Sequence, residues 1–457
     1  MLHLEFERQL DSNGVKKDRK LDVLLPAIGS AGDVHPVIEL GIALKKRGHQ
    51  ATVIANAIFE EQACNAGLDF VVLGTMQEAE AIFADPRLLD SRKSYECVAE
   101  RVILPYVAPL YHIIRERQRP NTVVAATALC FGARVAQEKL GVHLATIQLQ
   151  PSMFRSLVDG GLVGRMHMDA SVPRIFKKMF FWLLDRLIFD RLMASPINAF
   201  RASLGLPPVS RIFNDYINSP EAVLALFPEW FAPPQPDWPK NTHLTGFLLH
   251  DDCQRLRLSD DVNDFLAAGP PPVVFTPGSS AATLSNFFHE SVAACRIGGY
   301  RAMLVTNFPE QVPANLPGGV RAFSYLPFSQ VLPFCSALVY AGGIGTMAQA
   351  IKAGIPHLVV PHVNDQPDNA LRIERLGLGS RIYPEQYKAA RVAQELNQLL
   401  SSPQIKARCA KHEIAMDSTA ALDRTCDLVE NLAGSGNTVS EPGLIQLHKG
   451  ALAVGCD

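Results

Sequence analysis

A chain of 457 residues, 48% hydrophobic and 19% charged, has the length of two large domains and an ordinary globular composition. Its 43 Lys+Arg against 45 Asp+Glu leave a net charge of -2, which argues against duplex nucleic acid as a partner. The nine cysteines are scattered, without a C-x-x-C pair or Cys/His ligand spacing, so they read as reduced thiols rather than as a disulfide framework.

Residues 1–20 form a charged N-terminal extension without the apolar run of a secretory signal, so export is not expected. From there, short β-rich runs (21–28, 50–55, 69–73) alternate with helical patterns (35–47, 58–66). After a long helical stretch at 95–117 the alternation resumes with 122–126, 129–140 and 143–149, which predicts a doubly wound parallel α/β domain. Residues 174–193 are helical, with Ile175, Met179, Trp182, Leu183 and Leu187 apolar and Arg174, Lys177, Lys178, Arg186 and Arg191 basic. The stretch is either an amphipathic helix packed on its own domain or a membrane-surface or lipid-acceptor element. No segment reaches the ~18 consecutive apolar residues of a membrane span. The proline run at 228–239 cannot continue a helix or a central strand and marks the domain junction. A second α/β series follows, with strands at 272–276, 301–306, 320–324, 337–340 and 357–360. The expected division is thus an extension (1–20), two Rossmann-like domains (21–240 and 241–417), a C-terminal helix (418–433) and a Gly/Ser/Asn-rich tail (434–457) expected to be poorly ordered.

In open parallel sheets, ligands sit outside the carboxyl ends of the strands, where loops turn into helices. After the first strand comes Gly29-Ser30-Ala31-Gly32-Asp33-Val34-His35-Pro36, with Asp33 expected just before the helix. A carboxylate there either caps the helix or acts as general base in an interdomain cleft, and His35 is a second candidate for the base. In the second half, Thr276-Pro277-Gly278-Ser279-Ser280 offers hydroxyls and a glycine to a phosphate. Tyr340-Ala341-Gly342-Gly343-Ile344-Gly345-Thr346 opens a helix whose free N–H groups suit a diphosphate, or else packs a helix closely on a strand. Asp365 and Gln366 pair acceptors with a donor, as neighbouring sugar hydroxyls require. Tyr325 either stacks on a nucleobase or is a core aromatic.

In order, Tyr325-Leu326-Pro327, Gly342 to Thr346, Pro361, Asp365-Gln366 and Asn369-Ala370 resemble the donor-binding signature of family 1 glycosyltransferases. Gly29 to Pro36, with Leu44 and Arg47-Gly48-His49, resembles the amino-terminal signature of that family's bacterial and sterol-directed branches. The likeness covers about residues 20 to 432. It is nearest to the rhamnosyltransferase branch of rhamnolipid biosynthesis, through Asp85-Pro86-Arg87-Leu88 and the string Leu226-Phe227-Pro228-Glu229-Trp230-Phe231-Ala232-Pro233-Pro234-Gln235.

The resemblance implies the GT-B fold, two Rossmann-like domains facing across a cleft, and an inverting, metal-independent transfer of a hexose, with rhamnose as a candidate. Asp33 then deprotonates an acceptor hydroxyl. The donor, a dTDP- or UDP-linked sugar and the only small molecule needed besides the acceptor, is held by Ser30, Ser279, Tyr325, Tyr340, Gly342, Gly343, Gly345, Thr346, Asp365 and Gln366. No Asp-x-Asp triplet is present to propose a metal-bound diphosphate. The 174–193 stretch points to a hydrophobic or lipid-like acceptor, and to a cytoplasmic enzyme in peripheral contact with the inner face of the membrane. Tyr340 stands where the family has a His, and losing a charged contact there would cost about 1.5–3 kcal/mol of diphosphate stabilisation. A non-catalytic or partner-dependent nucleotide-sugar-binding subunit is therefore a second reading, and a nucleotide-sugar epimerase a third. Ala348, a Glu in plant members, hints at a deoxyribose donor such as dTDP-rhamnose.

Overall fold

Apolar runs alternating with helices build two parallel sheets in a computed structural model that describes residues 20–90, 93–250, 258–278 and 285–434. The first sheet begins with β1 (Asp22–Pro26), β2 (Gln50–Ala55), β3 (Asp69–Val72), β4 (Thr122–Thr127) and β5 (His143–Gln148). An antiparallel hairpin, β6 (Leu162–Val163) and β7 (Met166–His167), stands apart from it, and β8 (Ala222–Ala225) and β9 (Thr242–Leu244) complete the order β3-β2-β1-β4-β5-β8-β9. The alternation of side chains along β1 sets the layers. Val23 and Leu25 enter the core beneath helix α1 (Ala31–Lys46), while Leu24 joins Ile54 and Val124 on the opposite face. That second face is covered by the long helix α2 (Ser94–Arg117), whose Leu110, Tyr111 and Ile114 are buried, and by α3 (Phe131–Leu140). By length and composition alone α2 could cross a bilayer. Helix α4 (Arg174–Leu184) follows the hairpin and continues through a π-helical turn, Asp185–Phe189, into Asp190–Ser203.

The second sheet comprises β10 (Val273–Thr276), β11 (Ala302–Val305), β12 (Val320–Phe323), β13 (Ala337–Tyr340), β14 (His357–Val359) and β15 (Gly379–Arg381), in the order β12-β11-β10-β13-β14-β15. Every residue of β10, β11 and β13 is buried, as expected of parallel strands covered on both faces. Helices α5 (Ile344–Lys352) and α6 (Gln366–Leu376) follow β13 and β14.

Both sheets reverse direction at one point, between β1 and β4 and between β10 and β13. Ligands collect at such crevices, and the loops after β1, β10 and β13 are those singled out in the sequence. One boundary differs from expectation. The first sheet extends beyond residue 240, because β9 pairs with β8 through Val223↔Thr242 and Ala225↔Leu244. The last helix, α7 (Ser418–Leu432), crosses back and packs against α1, where Arg47 meets Asp423 (2.8 Å), Asp427 (2.5 Å) and Glu430 (3.2 Å). The 1–19 extension and the 435–457 tail lie outside the described residues. The seven described cysteines are free.

Candidate active site

Helix α1 begins at Ala31 rather than at residue 35, which places Asp33 inside the first turn and not ahead of it. The cause is local. Ser30 takes the extended N-cap conformation, and its N–H and hydroxyl both donate to Asp33 Oδ2, at 2.7 and 3.2 Å. Gly29 makes room for this arrangement: its φ is +139°, and a Cβ there would fall on the Asp33 carboxylate. Burial raises Asp33 to about 6 in spite of the two hydrogen bonds from Ser30, which pull the other way. His35, the alternative base, packs edge-on to Phe59 and His250, with ring centroids 6.2 and 5.5 Å apart.

Across the cleft, α5 starts after its N-cap Gly343, with no side chain among the described residues capping it. The N–H groups of Ile344, Gly345 and Thr346 precede the first intrahelical bond, donated by Met347 to the Gly343 carbonyl, and the positive end of the helix faces the cleft. The two domains come close at this point: a Cβ on Gly345 would lie 3.6 Å from Gly32 Cα. Gly342 does not line the cavity but supports it from behind. Its φ is +96°, a Cβ would sit 2.8 Å from Val359 Cγ1, and its carbonyl accepts the Asn369 amide at 2.9 Å.

Asn369 also donates to Asp365 Oδ2 at 2.7 Å, tying the acidic loop to the glycine loop. The sequence signal for this bridge is the i, i+4 spacing from Asp365 to Asn369, which puts both side chains on one face at the start of α6. Burial, together with the charge of Asp33, raises Asp365 to about 7. Gln366 accepts the N–H groups of His362 (2.8 Å) and Val363 (3.2 Å) through Oε1, leaving its amide NH2 to donate to a ligand. Burial lowers His362 to about 4, so this neighbouring imidazole brings no positive charge at neutral pH.

These groups share one cavity of about 390 Å³, bordered by Ser30, Asp33, Tyr340, Gly343, Gly345, Thr346, Asp365 and Gln366. The same cavity is also lined by an apolar set, Phe83, Val102, Met153, Phe181, Leu184, Phe189 and Phe213, which form an apolar chamber. Arg155, also on the wall, lies over the rings of Phe181 and Phe189 and pairs with Asp185 at 2.9 Å. Arg155 and Asp185 had no motif to announce them.

Besides Gly342, one expected contact is corrected and one alternative is settled. Tyr340 stands at the border of the cavity but is 1% exposed and packed in the core, and its hydroxyl is paired with His357 Nδ1 at 3.1 Å, so the phenol is not presented to a diphosphate. Tyr325 is 45% exposed, which removes the core reading, and it stands outside the wall of the cavity. Ser279 lies outside the described residues. Among the described residues, no group of three or more His, Cys, Asp or Glu side chains is placed to hold a metal ion.

Residues 302–431 match the family described as erythromycin biosynthesis protein CIII-like, C-terminal domain. The chain is 26% identical over 432 residues to O-mycaminosyltylonolide 6-deoxyallosyltransferase of Streptomyces fradiae, covering 92% of this chain and 100% of the relative. It is 26% identical over 365 residues to dTDP-epi-vancosaminyltransferase of Amycolatopsis orientalis, covering 78% and 84%. The glycotransferase of kitacinnamycin superposes with a TM-score of 0.70 at 20% identity, over 91% of this chain and 100% of that one. The protein is a GT-B glycosyltransferase. In this glycosyltransferase the second sheet carries the helix end and the Asp365-Gln366 loop, and the first carries Asp33 and most of the apolar chamber.

Proposed function

We propose that this glycosyltransferase moves a hexose, with rhamnose as the candidate, from a dTDP- or UDP-linked donor to a hydroxyl of a hydrophobic, lipid-like acceptor in the cytoplasm. The observation that carries this reading is the position of Asp33, a carboxylate between an apolar chamber and a wall of helix-end N–H groups, Asp365 and Gln366. The acceptor's apolar body lies in the chamber, and its hydroxyl gives a proton to Asp33. The oxygen attacks the anomeric carbon from the face opposite the diphosphate, so the configuration inverts. The departing diphosphate develops charge against the N–H groups of Ile344, Gly345 and Thr346, a stabilisation that calls for no metal. Asp365 and the Gln366 amide read the sugar hydroxyls. The relative named for dTDP-epi-vancosamine supports a dTDP-linked donor.

Asp33→Asn keeps the shape of the side chain and removes its basicity. Transfer should fall by about 10²–10⁴-fold, while the thermal shift produced by dTDP or UDP persists. Turnover near that of the parent would remove Asp33 from the role of base. Preference for short sugars over acyl-chain acceptors would overturn the acceptor assignment.

A further inference from the structure

Helix α4 and the turn after it have two apolar faces with different surroundings. The inner face is part of the enzyme: Phe181, Leu184 and Phe189 line the apolar chamber. Lys177 anchors this side, its Nζ donating to the carbonyls of Val158 and Asp169, both at 2.7 Å. Among the described residues the outer face has no such neighbours. Ile175 is 76% exposed, Leu187 59%, Trp182 55% and Met179 54%, with Phe176 and Leu183 beside them. A contiguous exposed patch of large apolar side chains marks an interaction surface.

The charges around the patch select the partner. Arg174, Lys178, Arg186 and Arg191 are all exposed along the same stretch. Its two acidic residues are occupied elsewhere. Asp185 is buried against Arg155, and Asp190 accepts the backbone N–H groups of Arg211 and Ile212 at 2.9 Å. The outer face is therefore apolar with a cationic rim, the pattern that lies in the headgroup region of an anionic bilayer.

We propose that the outer face of α4 docks this enzyme on anionic phospholipid, so that the chamber lined by the helix's inner face lies next to the bilayer. The docking stands on the exposed face alone; its purpose, taking an acceptor from the membrane, rests on the hydrophobic-acceptor reading above.

The test is co-sedimentation of the full-length protein with vesicles of phosphatidylcholine, alone or mixed with phosphatidylglycerol. Binding to the mixed vesicles should be at least about tenfold stronger, since each cation near such a surface contributes about fivefold. Brominated lipid should quench Trp182, because Trp238 is buried and Trp230 is partly covered. Leu187→Glu and, separately, Arg186→Glu should each weaken binding, with the far-ultraviolet circular dichroism and melting temperature unchanged. Equal binding to both vesicles, binding to neither, or retention of binding by Leu187→Glu would overturn the proposal. So would a dimer that Leu187→Glu dissociates, since the face would then belong to a second copy. Transfer to hydrophobic acceptors without vesicle binding would remove the docking alone; vesicle binding by a protein that uses no such acceptor would remove the acceptor reading and leave the docking.

Discussion

Asp33 and Asp365 belong to different domains, yet the charge of Asp33 adds to the burial that raises Asp365 to about 7. Asp33 is itself raised to about 6, by burial. A general base works only when deprotonated, so kcat/KM should fall about tenfold per pH unit below about 6 and level off above it. A pH–rate profile at fixed donor concentration reads this directly. A profile flat down to about pH 5 would disconnect Asp33 from the chemistry.

The same two carboxyls make stability depend on pH. Both folded values lie above the ordinary carboxylate value of 3.8, so the folded state binds their protons more tightly than the unfolded chain does. Their stabilising contribution is full below that value and is lost as pH rises through about 6 and 7. Asp365→Asn should therefore stabilise the ligand-free protein by about 1–3 kcal/mol near pH 8 and hardly at all near pH 4. Urea unfolding at the two pH values provides the comparison.

Gly29→Ala places a methyl group on the Asp33 carboxylate and asks an L residue to hold a φ of +139°. The expected cost is about 1–3 kcal/mol of stability. Turnover should fall at least about tenfold, because a displaced base loses its near-attack geometry. Parallel measurement of kcat and melting temperature separates the two effects, and a variant with parent kcat would show that the Asp33 position tolerates displacement.

Tyr340→Phe deletes the hydroxyl that meets His357 Nδ1 and leaves that buried imidazole with neither ring nitrogen paired among the described residues. Stability should drop by about 1–2 kcal/mol, while nucleotide affinity stays at the parent value. Denaturant unfolding beside titration calorimetry with dTDP checks both. A loss of affinity with stability intact would return Tyr340 to the donor site.

The two sheets and the loops that bear the site were legible because parallel strands need continuous apolar runs and the glycine loops stand at their carboxyl ends. The start of α1 was misplaced because Pro36 looks like a first-turn proline, whereas the Ser30-x-x-Asp33 pairing begins the helix earlier. The role given to Tyr340 failed although the strand was expected to run to residue 340, because an apolar strand buried on both faces does not show that its last side chain turns into the core. Contacts between distant segments left no trace in the sequence. Asp368, buried beside Arg372, accepts the N–H of Leu162 at 2.8 Å across 206 positions and so fixes the β6–β7 hairpin to the second domain. Only the folded chain brings these residues together.

The return of α7 to the first domain means that the backbone passes between the halves twice, once after β9 and again just before Ser418. Halves joined by a single strand could swivel in any direction. Two strands act as the two leaves of a door hinge and leave essentially one angle free. Arg47 and its three acidic partners bolt the second leaf to the frame.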